Sequence, residues 1–200
     1  MKVFTSAHDI YAERMDTAES SLLISRCIAG DEYSIEMFVR QHETGVFRLA
    51  ISILRDRSEA NEVTQETFIA ALKSLPSYQE RSSLKAWVYT IALNISRSRL
   101  RKRKVLEKLK GSLSALFQVD AQKHSSPEDA VIQTEKEAAI WNALNELDEK
   151  HRIVTVLRYF QSLHTTEIAE ILSISEGTVH SRLHTARERL RIALQHLHGD

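Results

Sequence analysis

Apolar residues recur along the chain at steps of three and four, the spacing that gathers them on one side of an α-helix. From Ser34 to Leu54 the positions Ile35, Phe38, Val39, Val46, Leu49, Ala50 and Ile53 make one such stripe, with Gly45, a poor helix former, inside it. Asp56-Arg57-Ser58 reads as a turn ending in an N-cap. A second stripe follows, Ala60, Val63, Thr67, Phe68, Ala71, Leu72 and Leu75, and Pro76 stops it. Ser77 to Ser83 is polar apart from Tyr78 and reads as a loop. A third helix carries Leu84, Trp87, Val88, Ile91, Ala92 and Ile95 on one face, and Leu22, Leu23, Ile24 and Ile28 predict a short leading helix ending at Gly30.

Between Leu106 and Asp129 the pattern breaks. Gly111, Ser112, Ser114, Ser125, Ser126 and Pro127 cluster there around an apolar patch of Leu113, Leu116, Phe117 and Val119, which reads as a linker. Helices resume at Val131 to Leu147, Glu149 to Phe160, Thr166 to Leu172 and Glu176 to about His196. Ser173-Ile174-Ser175 forms a tight turn before the last of these, with Ser175 placed to cap it. The expected fold is all-α: two small helical domains joined by a flexible linker. The divisions are an N-terminal extension over 1–20, a first domain over 21–105, the linker over 106–130 and a second domain over 131–198.

Composition agrees with helices and removes several classes. Five Gly and two Pro in 200 residues disfavour sandwiches, barrels and Gly-looped nucleotide folds. One cysteine, Cys27, closes no internal disulfide and makes no multi-Cys zinc site. No apolar run approaches the roughly 18–20 residues that span a bilayer, and Met1 to Asp16 has no apolar signal-peptide core. The expected setting is cytoplasmic, without membrane insertion. Charge is balanced, 27 basic against 27 acidic residues, but segregated: Arg97 to Lys104 reads R-S-R-L-R-K-R-K, whereas Glu128 to Glu149 is strongly acidic.

Two features carry candidate chemistry. The last two helices and their turn have the pattern of a helix-turn-helix, whose second helix fits a DNA major groove. Its outer face offers His180, Ser181, His184, Thr185 and Glu188, flanked by Arg182, Arg187, Arg189 and Arg191, and Gly177 permits close approach to a backbone. An ordinary helical hairpin with a solvated face gives the same periodicity. Asn94, Arg97 and Arg101 share a face of the third helix, where Asn suits a base edge and Arg suits phosphate. Tyr78, Gln79 and Arg81 in the adjoining loop suit stacking on an unpaired base, and a solvated helix end accounts for the same basic run. Enzymatic signals are weak. His180 and His184 have metal-like spacing but no H-E-x-x-H frame and no third ligand, and no phosphate-loop or nucleophile-elbow motif is present. The expectation is a protein that is not an enzyme and has neither metal nor cofactor.

The stretches S-E-A-N-E-V-T-Q-E-T-F (58–68) and S-S-L-K-A-W-V-Y-T-I-A-L-N (82–94), with the basic run after them, resemble conserved region 2 of extracytoplasmic-function sigma factors. L-N-E-L-D-E-K-H-R-I-V-T-V-L-R-Y (144–159) and T-E-I-A-E-I-L-S-I-S-E-G-T-V-H-S-R-L-H-T-A-R-E-R-L (166–190) resemble their region 4, in the family's order. The resemblance implies a transcription initiation factor whose partners are core RNA polymerase and promoter DNA, with an anti-sigma protein as a further candidate. It implies that Glu59, Asn61, Glu62, Gln65 and Glu66 face the polymerase clamp helices. Tyr78, Gln79, Arg81 and Asn94 would take an unpaired −10 base, with Arg97, Arg99 and Arg101 on its backbone. Gly177, Thr178, His180, Ser181, Arg182, His184, Thr185 and Arg187 would meet the −35 duplex. His180, Thr185, Thr166, Ser173 and Ser175 depart from the residues usual in the family, the last two replacing a common Gly and Pro. These departures bear on which −35 bases are read, and the fold should survive them.

Overall fold

The computed structural model describes residues 20–79, 83–117 and 135–195. In chain order the helices are α1 (20–28), α2 (Glu32–Leu54), α3 (Arg57–Ser74), α4 (Leu84–Phe117), α5 (Glu135–Glu146), α6 (Glu149–Thr155), α7 (Thr165–Leu172) and α8 (Glu176–Ala193). A 3₁₀ turn over Leu75–Ser77, holding Pro76, follows α3, and α6 runs into a π-helical turn over Val156–Phe160. The described residues contain helix and turn but no strand.

Side-chain caps set most of these boundaries. The carboxylate of Asp31 accepts from the Ser34 N–H at 2.9 Å, that of Asp148 from the His151 N–H at 3.2 Å, and Ser175 Oγ from the Thr178 N–H at 3.2 Å. At α3 the cap is Asp56, which accepts from the Glu59 N–H at 2.8 Å, rather than Ser58 at the end of the predicted turn. A carboxylate answers the helix N-terminal dipole as well as its N–H groups, so it takes the position ahead of the hydroxyl.

Two stretches differ from the sequence reading. Helix α4 continues through Leu106 to Phe117, where a break was expected. Leu106, Leu109, Leu113, Leu116 and Phe117 keep the helical spacing, and one Gly at 111 costs only about 1 kcal/mol. The core face of α4 is also wider than the predicted stripe. Leu84, Ala86, Val88, Tyr89, Ala92, Leu93 and Ser96 are buried, while Trp87, Ile91 and Ile95 are half-buried. The cause is a second partner: α4 packs on α2 and α3 on one side and on α7 on the other.

The N-terminal bundle α2–α4 and the C-terminal set α6–α8 therefore meet. One core cluster runs from Phe38, Val46, Leu49 and Phe68 through Tyr89 and Leu93 to Ile153, Leu157, Ile168, Ile171 and Val179. Gly45 sits at the joint. A Cβ there would lie 2.1 Å from the Tyr89 hydroxyl and 2.6 Å from Gln161 Oε1, so only glycine lets α2 approach this closely. That explains a residue that reads as a flaw in a helical stripe.

The turn between α7 and α8 bends through Ser173, which holds a left-handed φ of 53°. Its N–H bonds to the Glu170 carbonyl and the Ile174 N–H to the Ala169 carbonyl, which closes the end of α7. A residue with a Cβ is strained there. Ser173→Gly should raise stability by about 0.5–1 kcal/mol. In a thermal melt this appears as an increase of about 2 °C.

Candidate nucleic-acid interface

The outer face of α8 is built by burial of its inner one. Val179, Leu183 and Ala186 are buried, which turns Gly177, His180, Ser181, His184 and Arg187 to solvent and leaves Thr178, Arg182 and Thr185 half-buried. The hydroxyls of Ser175 and Thr178 bond at 2.8 Å, and Thr185 Oγ1 donates to the Ser181 carbonyl at 3.1 Å. A Cβ at Gly177 would meet only Ser175 Oγ at 4.0 Å, so the glycine leaves the helix start open to a large neighbour. At the far end Arg189 reaches Asp148 at 3.6 Å, so its charge also ties α8 to the start of α6. His180 and His184 stand one turn apart, and no group of three or more His, Cys, Asp or Glu with metal-ligand spacing exists among the described residues.

The second surface combines the chain after α3 with the outer side of α4. Tyr78 packs at a tilt of 53° against Trp87, ring centroids 5.0 Å apart, and Gln79 beside it is exposed. Arg81 lies outside the described residues. Trp87 is half-buried against the core and lends Tyr78 a rigid aromatic neighbour. Asn94 and Arg101 are exposed on α4. Arg97 and Arg99 are half-buried and engaged: Arg97 reaches Glu149 of α6 at 3.7 Å, and Arg99 is forked between Glu62, at 2.5 Å, and Glu66.

The third surface is the outer side of α3. Asn61, Glu62, Gln65 and Glu66 are exposed and Glu59 is half-buried. Its acids are cross-braced to α4, with Arg103 joining Glu59 at 3.2 Å while donating to the Leu54 carbonyl at 3.1 Å. Burial would lower the Arg99 pKa, but the Glu62 hydrogen bond and the charges of Glu66, Glu62 and Glu59 outweigh it and raise it. The acids of α3 and the arginines of α4 are thus facing rungs of one ladder.

Sequence reasoning missed a polar group between the two helical sets. Arg152 is 2% exposed, and its Nε and Nη1 donate to the carbonyls of Ser52 and Leu147 at 2.5 and 2.6 Å. Arg55 donates to the carbonyls of Asn145 and Leu147 at 2.6 and 3.3 Å. Tyr89 donates to Gln161 Oε1 at 2.7 Å, and Lys85 to the Gln161 carbonyl at 2.5 Å. The one available signal was Arg152 itself, four residues before Val156 and so on an inward row of its helix.

A three-helix bundle with a long basic helix, followed by a helix-turn-helix with an open outer face, defines a two-part DNA-binding protein. Residues 38–105 match the family described as Sigma-70 region 2, and residues 137–190 match Sigma-70, region 4. The chain is 32% identical over 173 residues to the ECF RNA polymerase sigma factor SigW of Bacillus subtilis (strain 168), covering 84% of this chain and 92% of that protein. It is 30% identical over 180 residues to the RNA polymerase sigma-H factor of Pseudomonas aeruginosa, covering 88% and 93%. Its fold is similar to the sigma factor RpoE of Bartonella quintana, solved with the anti-sigma factor NepR, at a TM-score of 0.66 and 25% identity over 80% of this chain and 96% of that one. The chain belongs to the sigma-70 family, in its ECF sigma factor branch. It serves promoter-specific transcription initiation with RNA polymerase, and recognition of −35 and −10 elements is general to that family.

Proposed function

We propose a division of labour among the three surfaces. Residues 21–105 form the part that docks on core polymerase and handles the −10 region, and residues 131–198 form the part that reads the −35 duplex. His180, Ser181, His184 and Thr185 read base edges in the major groove, while Gly177, Thr178, Arg182 and Arg187 approach the backbone. Tyr78, Gln79, Arg81 and Asn94 hold an unpaired −10 base, with Arg97, Arg99 and Arg101 on the strand's phosphates. Removing a base from the stack costs a few kcal/mol, so a pocket that holds it keeps melted DNA open. Glu59, Asn61, Glu62, Gln65 and Glu66 meet the polymerase. The chain itself catalyses nothing, works in the cytoplasm and is controlled by an anti-sigma protein.

The observation that carries this reading is geometric. The reading face of α8 and the Asn94 side of α4 are exposed, and the outer side of α3 presents Asn61, Glu62, Gln65 and Glu66 to solvent, with Glu62 and Glu66 also paired to Arg99 of α4. Run-off transcription with purified core polymerase on a cognate promoter tests it. Asn94→Ala and Arg97→Ala should each cut open-complex formation by about tenfold with core binding unchanged. Normal initiation by both would move the −10 surface elsewhere. Gln65→Ala and Glu62→Ala should instead weaken core binding by several-fold, measured by competition with a labelled wild-type chain. Unchanged competition would remove α3 from the polymerase contact.

A further inference from the structure

Four residues of α8 recur at a spacing of four: Glu176, His180, His184 and Glu188. All are exposed, and each step advances the helix by about 6 Å while turning it only about 40°, so they form one ridge. Burial of Val179, Leu183 and Ala186 on the inner side turns that ridge outward. Among the described residues neither imidazole has a hydrogen bond or an ion pair. The two acids are held from outside the ridge: Glu176 Oε1 accepts from Thr165 Oγ1 at 2.7 Å, and Glu188 Oε2 reaches Arg191 at 3.4 Å. Base reading employs the imidazoles and gives the acids no part.

Two histidines four apart let a single helix face supply two ligands to a transition metal. Their Cβ atoms lie about 5–6 Å apart, and two ring nitrogens bound to one tetrahedral ion need converge only to about 3.4 Å. Exposed rings reach that by side-chain rotation, without disturbing the packed side of α8. A structural zinc site takes four protein ligands and a catalytic one takes three. Two ligands leave positions for water, so the missing third excludes a closed site but not an open, exchangeable one. Imidazole suits Zn²⁺, Ni²⁺ and Cu²⁺, whereas Mg²⁺ and Ca²⁺ take oxygen ligands. Glu176 and Glu188, one turn beyond on either side, offset the charge of an ion placed near Arg182 and Arg187 and can accept hydrogen bonds from its waters.

We propose that His180 and His184 form an exchangeable site for a divalent transition-metal ion of the Zn²⁺ class, and that the occupied site no longer reads the −35 duplex. The second half rests on the assignment of this face to −35 DNA; the first half does not. The ion takes the ring lone pairs that would accept from base edges, and its waters stand where the floor of the major groove would lie. Arg182 and Arg187 keep their access to the DNA backbone, so sequence reading is lost rather than attraction to DNA. Promoter choice thereby becomes sensitive to free metal with no change of fold.

The metal half is tested on the full chain in a His196→Gln/His198→Gln background, which removes the other closely spaced pair of histidines. Cu²⁺ alone is the spectroscopic probe, and Zn²⁺ is its competitor. One equivalent of Cu²⁺ should show paramagnetic-resonance splitting from two imidazole nitrogens, and Zn²⁺ should displace it. His180→Gln and His184→Gln should each remove the two-nitrogen pattern and weaken Zn²⁺ binding about tenfold or more by calorimetry. Absence of the pattern in the parent chain, or its persistence in both variants, overturns the site. For the second half, run-off transcription with core polymerase from a −35-dependent promoter is measured with and without Zn²⁺ at a concentration that fills the pair. Each chain is normalised to its own metal-free rate. The parent should fall about fivefold or more and His180→Gln/His184→Gln less than about twofold, a contrast that cancels any action of Zn²⁺ on the polymerase. Equal inhibition of the two chains overturns the blocking. A parent chain that fails to initiate without metal sinks the functional reading instead, and the binding measurements still decide the site.

Discussion

Between pH 6.5 and about 4 the folded chain should lose about 3 kcal/mol of stability through one residue, His42. The imidazole is 5% exposed, packs edge-on against Phe38 at 5.3 Å between centroids, and has no hydrogen-bond partner at Nε2. Burial, foremost, and the nearby Lys85 charge lower its pKa from 6.5 to about 4. The folded state therefore prefers the neutral ring, whereas the unfolded chain takes up a proton near pH 6.5. The contribution is fully present above that value and is lost as pH falls towards 4, where the folded form protonates as well. Asp31 and Asp148, whose pKa values lie below the usual 3.8, add their losses only at lower pH. The His42 window is thus separable. Urea melts at pH 7, 5.5 and 4.5 should show the decline in the wild-type chain and a much flatter profile in His42→Leu. A wild-type profile already flat across this range contradicts the burial argument.

How far the sequence could be read depends on what each residue answers to. Stripes confined to one face of a helix were legible, as with Phe38, Val46, Leu49 and Ile53 on α2, or Val179, Leu183 and Ala186 on α8. Capping chemistry was legible at Ser175, and at Asp56 it was displaced by two residues. The exposed face of α8 followed at once from its buried one. Helix α4 was harder because it answers to two partners: Tyr89 and Leu93 are buried on account of the joint, and Trp87 is left half-buried beside Tyr78. The engagement of Arg97 and Arg99 was hidden for a related reason. Periodicity places a basic residue on a face, but the acid opposite it lies 52 residues away in one case and 33 or 37 in the other. Gly45 illustrates the limit. Its meaning is a Tyr89–Gln161 hydrogen bond, which no local pattern contains.

The joint itself should be most sensitive at Arg152. Burial, foremost, and repulsion from Arg55 bring its pKa down to about 10, against the opposing pull of Glu149 and Asp148, so it is charged at neutral pH. Holding a charge there is costly, and the cost is offset by donation into the carbonyls of Ser52, near the end of α2, and Leu147, just past α5. A buried ion pair can often be exchanged for apolar side chains because both partners change together. Here the acceptors are backbone and remain. Arg152→Ala should therefore cost about 3 kcal/mol, leaving the Ser52 carbonyl without its donor, opening a cavity and leaving Leu147 only the longer bond from Arg55. Arg152→Met fills the space without donating and should recover only part of that loss. Because the side chain bridges α2 to the C-terminal helices, the alanine variant should also melt less cooperatively, its van't Hoff enthalpy falling below the calorimetric one. Calorimetry of the three chains at pH 7 measures both effects. Equal stability of the methionine variant and wild type would mean that the guanidinium only fills volume and that its bonds to Ser52 and Leu147 do not hold the two halves together.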